Sequence, residues 1–204
     1  MKRIITAITI LALWAPVVRA QHTIEDIRKD YANVKEYIGM MSEDFPSGGI
    51  PAQFYHLHVA QNLPATGPHF ENVRMYYGEE EGGELIYEKH YLWFLTTKYN
   101  FAAREYYEEY LYDKNGKLTF AYGIEPDLDT GEFVEYRLYY DGKRLLKCIV
   151  KKRKMDGETE FREVYNGTKI PEEYTRTIGW YEAKAKQFIQ LFKDIESVAY
   201  PYNE

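Results

Sequence analysis

Cysteine is nearly missing from this chain. Cys148 is the only one in 204 residues, which excludes an intramolecular disulfide framework and any metal site built on several thiolates. Serine is scarce as well. Ser42, Ser47 and Ser197 are the full set, and none stands in a nucleophile-elbow or Ser-x-x-Lys context, so a serine hydrolase has no footing. Glycine-rich phosphate loops are absent, since the Glu79 to Gly83 run is acidic, repels phosphate and reads as a hairpin loop. Only one apolar stretch approaches membrane length, which rules out a multi-span membrane protein. Disorder is excluded by abundance instead: 17% of the residues are aromatic, and tyrosine alone occurs 21 times.

The apolar stretch runs from Ile4 to Val18, follows Lys2 and Arg3, and leaves through Val18-Arg19-Ala20. A basic start, a short apolar centre and a small exit residue predict a Sec-type signal peptide over residues 1–20, with export to the periplasm or beyond the cell. The alternative, a single anchor helix, is disfavoured because the run falls short of the ~20 residues that span a bilayer. Pro16 also interrupts it. No cysteine marks the exit, which argues against a lipoprotein anchor. Processing would remove Lys2, Arg3 and Arg19, leaving 23 basic against 32 acidic residues and a formal charge of −9. Such a surface repels phosphate backbones, so nucleic acid is not an expected partner. Lys151 to Lys154 is the only basic cluster and reads as a solvated hairpin end. Asn166-Gly167-Thr168 fits the glycosylation pattern, a chance match behind a bacterial-type signal.

Residues 21–204 read as one domain. Thr23 to Ile38 has helical spacing, with Ile24, Ile27, Tyr31, Val34 and Ile38 on one stripe and Thr23 with Asp26 placed as a capping box. Pro46, Gly48, Gly49 and Pro51 then break the helix. Tyr55, Leu57 and Val59, and later Val73, Met75 and Tyr77, alternate with polar neighbours as strands do. Tyr91 to Leu95 is apolar on both faces, the pattern of a strand covered on both sides. Asp113 to Gly116, Asp127 to Gly131, Asp141-Gly142, Asp156-Gly157 and Asn166-Gly167 punctuate the following strands with hairpin turns. No helix-length segment separates these strands, so parallel βαβ units are excluded. Ile178, Tyr181, Ala185, Phe188, Phe192 and Ile195 form a closing helical stripe. The expected fold is therefore α+β: an antiparallel meander of about eight strands with an N-terminal and a C-terminal amphipathic helix packed on it, one or both against its inner face. The alternative is an eight-stranded barrel with a C-terminal helix.

Alternation also sorts the faces. Val134, Tyr136, Leu138 and Tyr140 belong to a core face, and Phe133, Glu135, Arg137 and Tyr139 to a mixed, water-facing one. Glu105, Tyr107 and Glu109 repeat that mixed character. Half-buried tyrosine rings keep a reachable hydroxyl, and rings flanked by polar groups are what recognition surfaces use. Tyr107, Tyr139, Glu105 and Arg137 are thus the candidate ligand-binding residues.

Catalytic constellations are thin. Cys148 shares apolar company with Leu146 and Val150 and reads as a buried hydrophobe. His56 and His58 point to one side of a strand and, with His69 or His90, could frame a metal site, but no acidic ligand stands at a defining spacing. No metal or cofactor is assigned. Glu105 and Glu109 are ~13 Å apart along a strand, too far for a glycosidase pair at ~5–9.5 Å, unless Glu135 completes one.

The Val18-Arg19-Ala20-Gln21 exit, together with Tyr110 to Phe120 (Tyr-Leu-Tyr-Asp-Lys-Asn-Gly-Lys-Leu-Thr-Phe), resembles the uncharacterised secreted proteins common in Bacteroidetes. That resemblance implies export and carries no catalytic residues. Tyr112-Asp113, Tyr140 to Lys143 and Tyr165 to Gly167 also look like MORN-type tyrosine-and-glycine hairpins, at irregular spacing. The expectation is a non-enzymatic exported domain that binds a protein or an envelope glycan through a tyrosine-rich sheet face. A barrel-like carrier of a small apolar ligand and a carboxylate-based envelope hydrolase are the alternatives.

Overall fold

The computed structural model describes residues 22–42, 48–79 and 89–201. Residues 1–20, where a signal peptide is expected, and most of the acidic run after Glu79 lie outside them. Helix α1 spans Ile24–Met40 and opens on the expected capping box. The Asp26 backbone N–H donates to Thr23 Oγ1 at 3.1 Å, and the Thr23 N–H returns a bond to Asp26 Oδ2 at 3.1 Å. The Thr23 hydroxyl, donating to Asp26 Oδ2 at 2.6 Å, and then the Thr23 N–H hold the Asp26 carboxyl below its usual range. Two short strands, β1 (Met41–Ser42) and β2 (Ile50–Pro51), pair in parallel after the helix.

The sheet proper follows as β3 (Phe54–Leu63), β4 (Gly67–Glu79), β5 (His90–Phe101), β6 (Arg104–Tyr112), β7 (Leu118–Asp127), β8 (Glu132–Asp141), β9 (Arg144–Lys154) and β10 (Arg162–Gly167). Every strand pairs antiparallel with its sequence neighbours, in the order β10-β9-β8-β7-β6-β5-β4-β3. The edge strands β3 and β10 do not pair with each other, so the sheet is open and the barrel is not formed. The expected turns at Asp113 to Gly116, Asp127 to Gly131, Asp141-Gly142 and Asp156-Gly157 supply the reversals, whereas Asn166 and Gly167 lie within β10, paired with Ile149 and Cys148. Gly116 and Gly142 sit at φ of 71° and 62°, where a Cβ is penalised. The β5–β6 reversal turns without glycine, since Ala102 takes the positive φ. Asn100 compensates by donating to the carbonyls of Pro68 and Ala102 and accepting from the Phe70 N–H.

Helix α2 spans Thr175–Ala199 behind a single 3-10 turn at Glu172–Tyr174. Its stripe of Ile178, Tyr181, Ala185, Phe188 and Phe192 is buried against Met75, Leu95, Tyr110, Ala121, Leu138 and Val150. The opposite sheet face carries a second layer, in which Ile27 and Val34 of α1 pack with Tyr76, Phe94, Leu111, Phe120, Tyr139 and Ile149. The two helices therefore cover opposite faces, an assignment that the sequence pattern leaves open. Each large side chain fully buried in these layers contributes roughly 1.5–3 kcal/mol.

Bulges redistribute some side chains. The pairing slips between Tyr139 and Tyr140, so that Tyr139 faces Lys147 while Tyr140 faces Leu145. Leu145 then joins the α2 layer with Cys148, and Leu146 turns to the α1 layer. Simple alternation had grouped Leu146 with Cys148, and the extra residue in β9 reverses that assignment. Cys148 is fully buried, and burial pushes its thiol up to about 11. Gly123 leaves room for helix α2. A Cβ there would lie within 2.6 Å of three atoms of the Tyr181 side chain. Among the described residues, no helix is long and apolar enough to cross a membrane.

Candidate functional site

Glu108 and Glu109 are consecutive on β6, so strand geometry sends them to opposite faces. Both are buried, at 3% and 2% exposure. A buried carboxylate needs charge and hydrogen-bond partners, and each finds a lysine from the helix above it. On the α2 side, Glu108 accepts from Lys184 Nζ at 2.8 Å, Tyr99 at 2.8 Å and Tyr110 at 2.6 Å. On the α1 side, Glu109 accepts from Lys35 Nζ at 2.9 Å, from Tyr107 at 2.6 Å and from the Tyr31 hydroxyl. A second buried acid on that side, Glu135, accepts from Arg137 Nε at 2.8 Å and Tyr122 at 3.3 Å, with Lys151 at 4.0 Å.

Burial, then the neighbouring glutamates, raise Tyr31, Tyr107 and Tyr122 above the ordinary phenol value. All three hydroxyls therefore stay protonated at neutral pH and donate to the carboxylates. Together they floor an open cleft of about 700 Å³ between α1 and the β6–β10 half of the sheet. Arg28, Tyr139, Lys147 and Lys151 complete its charged and aromatic lining.

Three of the four residues singled out from sequence meet here: Tyr107, Arg137 and Tyr139. The face they share is not the open surface that alternation suggested. Tyr139 is 4% exposed, because α1 lies over it and the Arg28 guanidinium stacks 5.6 Å from its ring centroid. Tyr107 is half-buried, and its hydroxyl is committed to Glu109. Glu105 stands apart, exposed near the β5–β6 turn and paired with Lys98 at 2.9 Å. Tyr31, Lys35 and Arg28 were missed, although they lie on or beside the apolar stripe of α1. Their relation to Glu109 depends on where the helix lands, which local periodicity does not encode.

Glu109 and Glu135 are both buried on the α1 side, each held by its own partners. They come from β6 and β8, with β7 between them, and cations or tyrosines already occupy their oxygens. The histidines are dispersed. His58 bonds Asn72, His69 meets the Asn100 carbonyl, His90 pairs with Glu196, and His56 is exposed. Among the described residues, no group of three or more histidine, cysteine or acidic side chains is placed to hold a metal.

A larger cleft, about 1110 Å³, opens on the other side where α2 crosses the β6–β7 and β8–β9 turns. Its charges are balanced, with Asp113, Asp141 and Glu182 set against Lys117, Lys143 and Lys186. Tyr140 lines it at 2% exposure, and its hydroxyl has no hydrogen-bond partner. Burial, then the neighbouring Glu182 carboxylate, raise its pKa. Size favours this cleft, whereas the concentration of rings and cations favours the one under α1. Comparison with protein families, curated proteins and solved structures finds no match for this chain.

Proposed function

We propose that the protein is an exported, non-enzymatic binding domain whose ligand, a protein or an envelope glycan, enters the cleft between α1 and the sheet. The observation that carries this reading is the convergence of Tyr107, Tyr122 and Arg137 around the buried carboxylates Glu109 and Glu135, at the floor of a space open to solvent. Those carboxylates fix the rings and guanidinium in place, so the recognition groups are ordered before any ligand arrives. Preorganisation of that kind lowers the entropy cost of binding. A hydrolase finds less support, because the same carboxylates have no unoccupied oxygen to give to a reaction. A small apolar ligand finds less as well, since side chains fill the layers beneath both helices.

The test is binding by wild type and Tyr107→Ala to a glycan panel and to envelope extract, with circular dichroism to confirm folding. Loss of a specific partner in the folded variant is the expected result. Undiminished capture of every partner would place the recognition surface elsewhere.

A further inference from the structure

The cleft under α1 differs in charge from the molecule that carries it. The full chain has a net charge of −6. The cleft gathers Arg28, Lys35, Arg137, Lys147 and Lys151, against Glu109 and Glu163 on its lining and Glu135 among its hydrogen-bonded supports. Lys35 is spent on Glu109, while Arg137 and Lys151 are directed at Glu135. Arg28 and Lys147 remain. Among the described residues neither has an ion-pair partner. They flank the same buried ring, Arg28 above Tyr139 and Lys147 opposite it in the β8–β9 ladder. Two cations without an ion-pair partner thus stand on one side of a preordered cleft whose one lining carboxylate left without a cation, Glu163, accepts from Asn166.

We infer that this cleft recognises an acidic oligosaccharide, with Arg28 and Lys147 taking a carboxylate or sulfate of the sugar chain. This deepens the binding reading above and rests on it. Anionic oxygens form the stronger, charge-assisted hydrogen bonds with guanidinium and ammonium groups. The remaining surface suits a hydroxyl-rich chain. Tyr31, Tyr107 and Tyr122 each donate inward to a glutamate, which leaves hydroxyl lone pairs as acceptors for sugar O–H groups. An acidic peptide is less well served. The apolar residues of the lining, Ile27, Phe120 and Ile149, are buried in the core and give a peptide side chain no pocket.

The experiment is calorimetric titration of the folded protein with three probes: an oligogalacturonate, a sulfated heparin fragment and neutral cellohexaose. Wild type, Arg28→Ala/Lys147→Ala and Tyr107→Ala are compared, with polyglutamate as a peptide control. An acidic probe should bind about tenfold or more tightly than the neutral one and weaken as salt rises from about 0.05 to 0.5 M. The double variant should lose about tenfold in affinity for the acidic probe. The two acidic probes distinguish carboxylate from sulfate as the recognised group. Equal, salt-insensitive affinity for cellohexaose overturns the charge inference, while a loss in Tyr107→Ala would keep the cleft as the binding site. Binding of polyglutamate alone overturns the sugar assignment. Binding that no cleft variant changes overturns both readings. If the double variant fails to fold, Lys147→Ala alone and the wild-type salt series decide the same question.

Discussion

Tyr110 and Tyr140 are both buried, both lie in the layer beneath α2, and differ in one atom's surroundings. The Tyr110 hydroxyl donates to Glu108 at 2.6 Å, whereas the Tyr140 hydroxyl has no partner. Removing a donor from a buried carboxylate costs about 1–3 kcal/mol, while removing an unsatisfied hydroxyl can be neutral or stabilising. Urea unfolding of Tyr110→Phe and Tyr140→Phe should therefore diverge. The first should shift its midpoint down, and the second should match wild type or exceed it. Equal losses would mean that Tyr140 has a partner in solution. The sequence offered no hint of this contrast, because each tyrosine simply occupies an apolar position in an alternating strand. The acceptor of Tyr110 stands two positions away on its own strand, but the cation that compensates the buried Glu108 charge, Lys184, comes from the distant helix α2.

Each helix sets a lysine on one of two adjacent glutamates of the sheet, and the two ion pairs differ in depth. Lys184 and Glu108 have side-chain exposures of 14% and 4%, whereas Lys35 on the other face is 42% exposed. Breaking a buried pair strands a charge and costs about 3–5 kcal/mol. A partly exposed pair contributes about 0–1 kcal/mol. Lys184→Ala should thus unfold at markedly lower denaturant than Lys35→Ala, and similar midpoints would contradict the difference in burial. Elements were the most legible level of this molecule. Stripes at 3- and 4-residue steps marked both helices, and Asp-Gly steps marked the reversals of β6 through β10. Coverage was not legible. Alternation showed that Glu135, Arg137 and Tyr139 share a face, but a strand's own residues do not say which helix will lie on it. Charged neighbours made that face look wet. In the structure Glu135 is an inward-facing partner of Tyr122, Arg137 and Lys151, and Arg28 of α1 covers the Tyr139 ring.

Across the whole molecule, tyrosines carry much of the packing, and many are raised above the usual phenol range by burial first and adjacent carboxylates second. Tyr31, Tyr99, Tyr107, Tyr110, Tyr136 and Tyr181 are among them. Their pKa values are higher folded than unfolded, so an unfolded chain gives up these protons first as pH rises past about 10. The associated stability is complete below that point and is lost above it. Urea midpoints measured from pH 8 to 11 should hold and then fall steeply, with tyrosinate absorbance appearing together with unfolding. Smooth ionisation of the native protein near pH 10 would show that the rings are open to solvent.

The strictly sequential sheet has a further consequence for how the halves of the chain depend on one another. A cut at the Asp113–Lys117 turn would leave α1 with β3–β6 in one fragment and β7–β10 with α2 in the other. Yet α1 packs on Phe120, Tyr139 and Ile149 beyond the cut, and α2 packs on Met75, Leu95 and Tyr110 before it. Each fragment thus carries the lid for its counterpart. The covalent link at that hairpin is redundant with two reciprocal clasps, and the molecule has the layout of a complementing pair joined by a short tether.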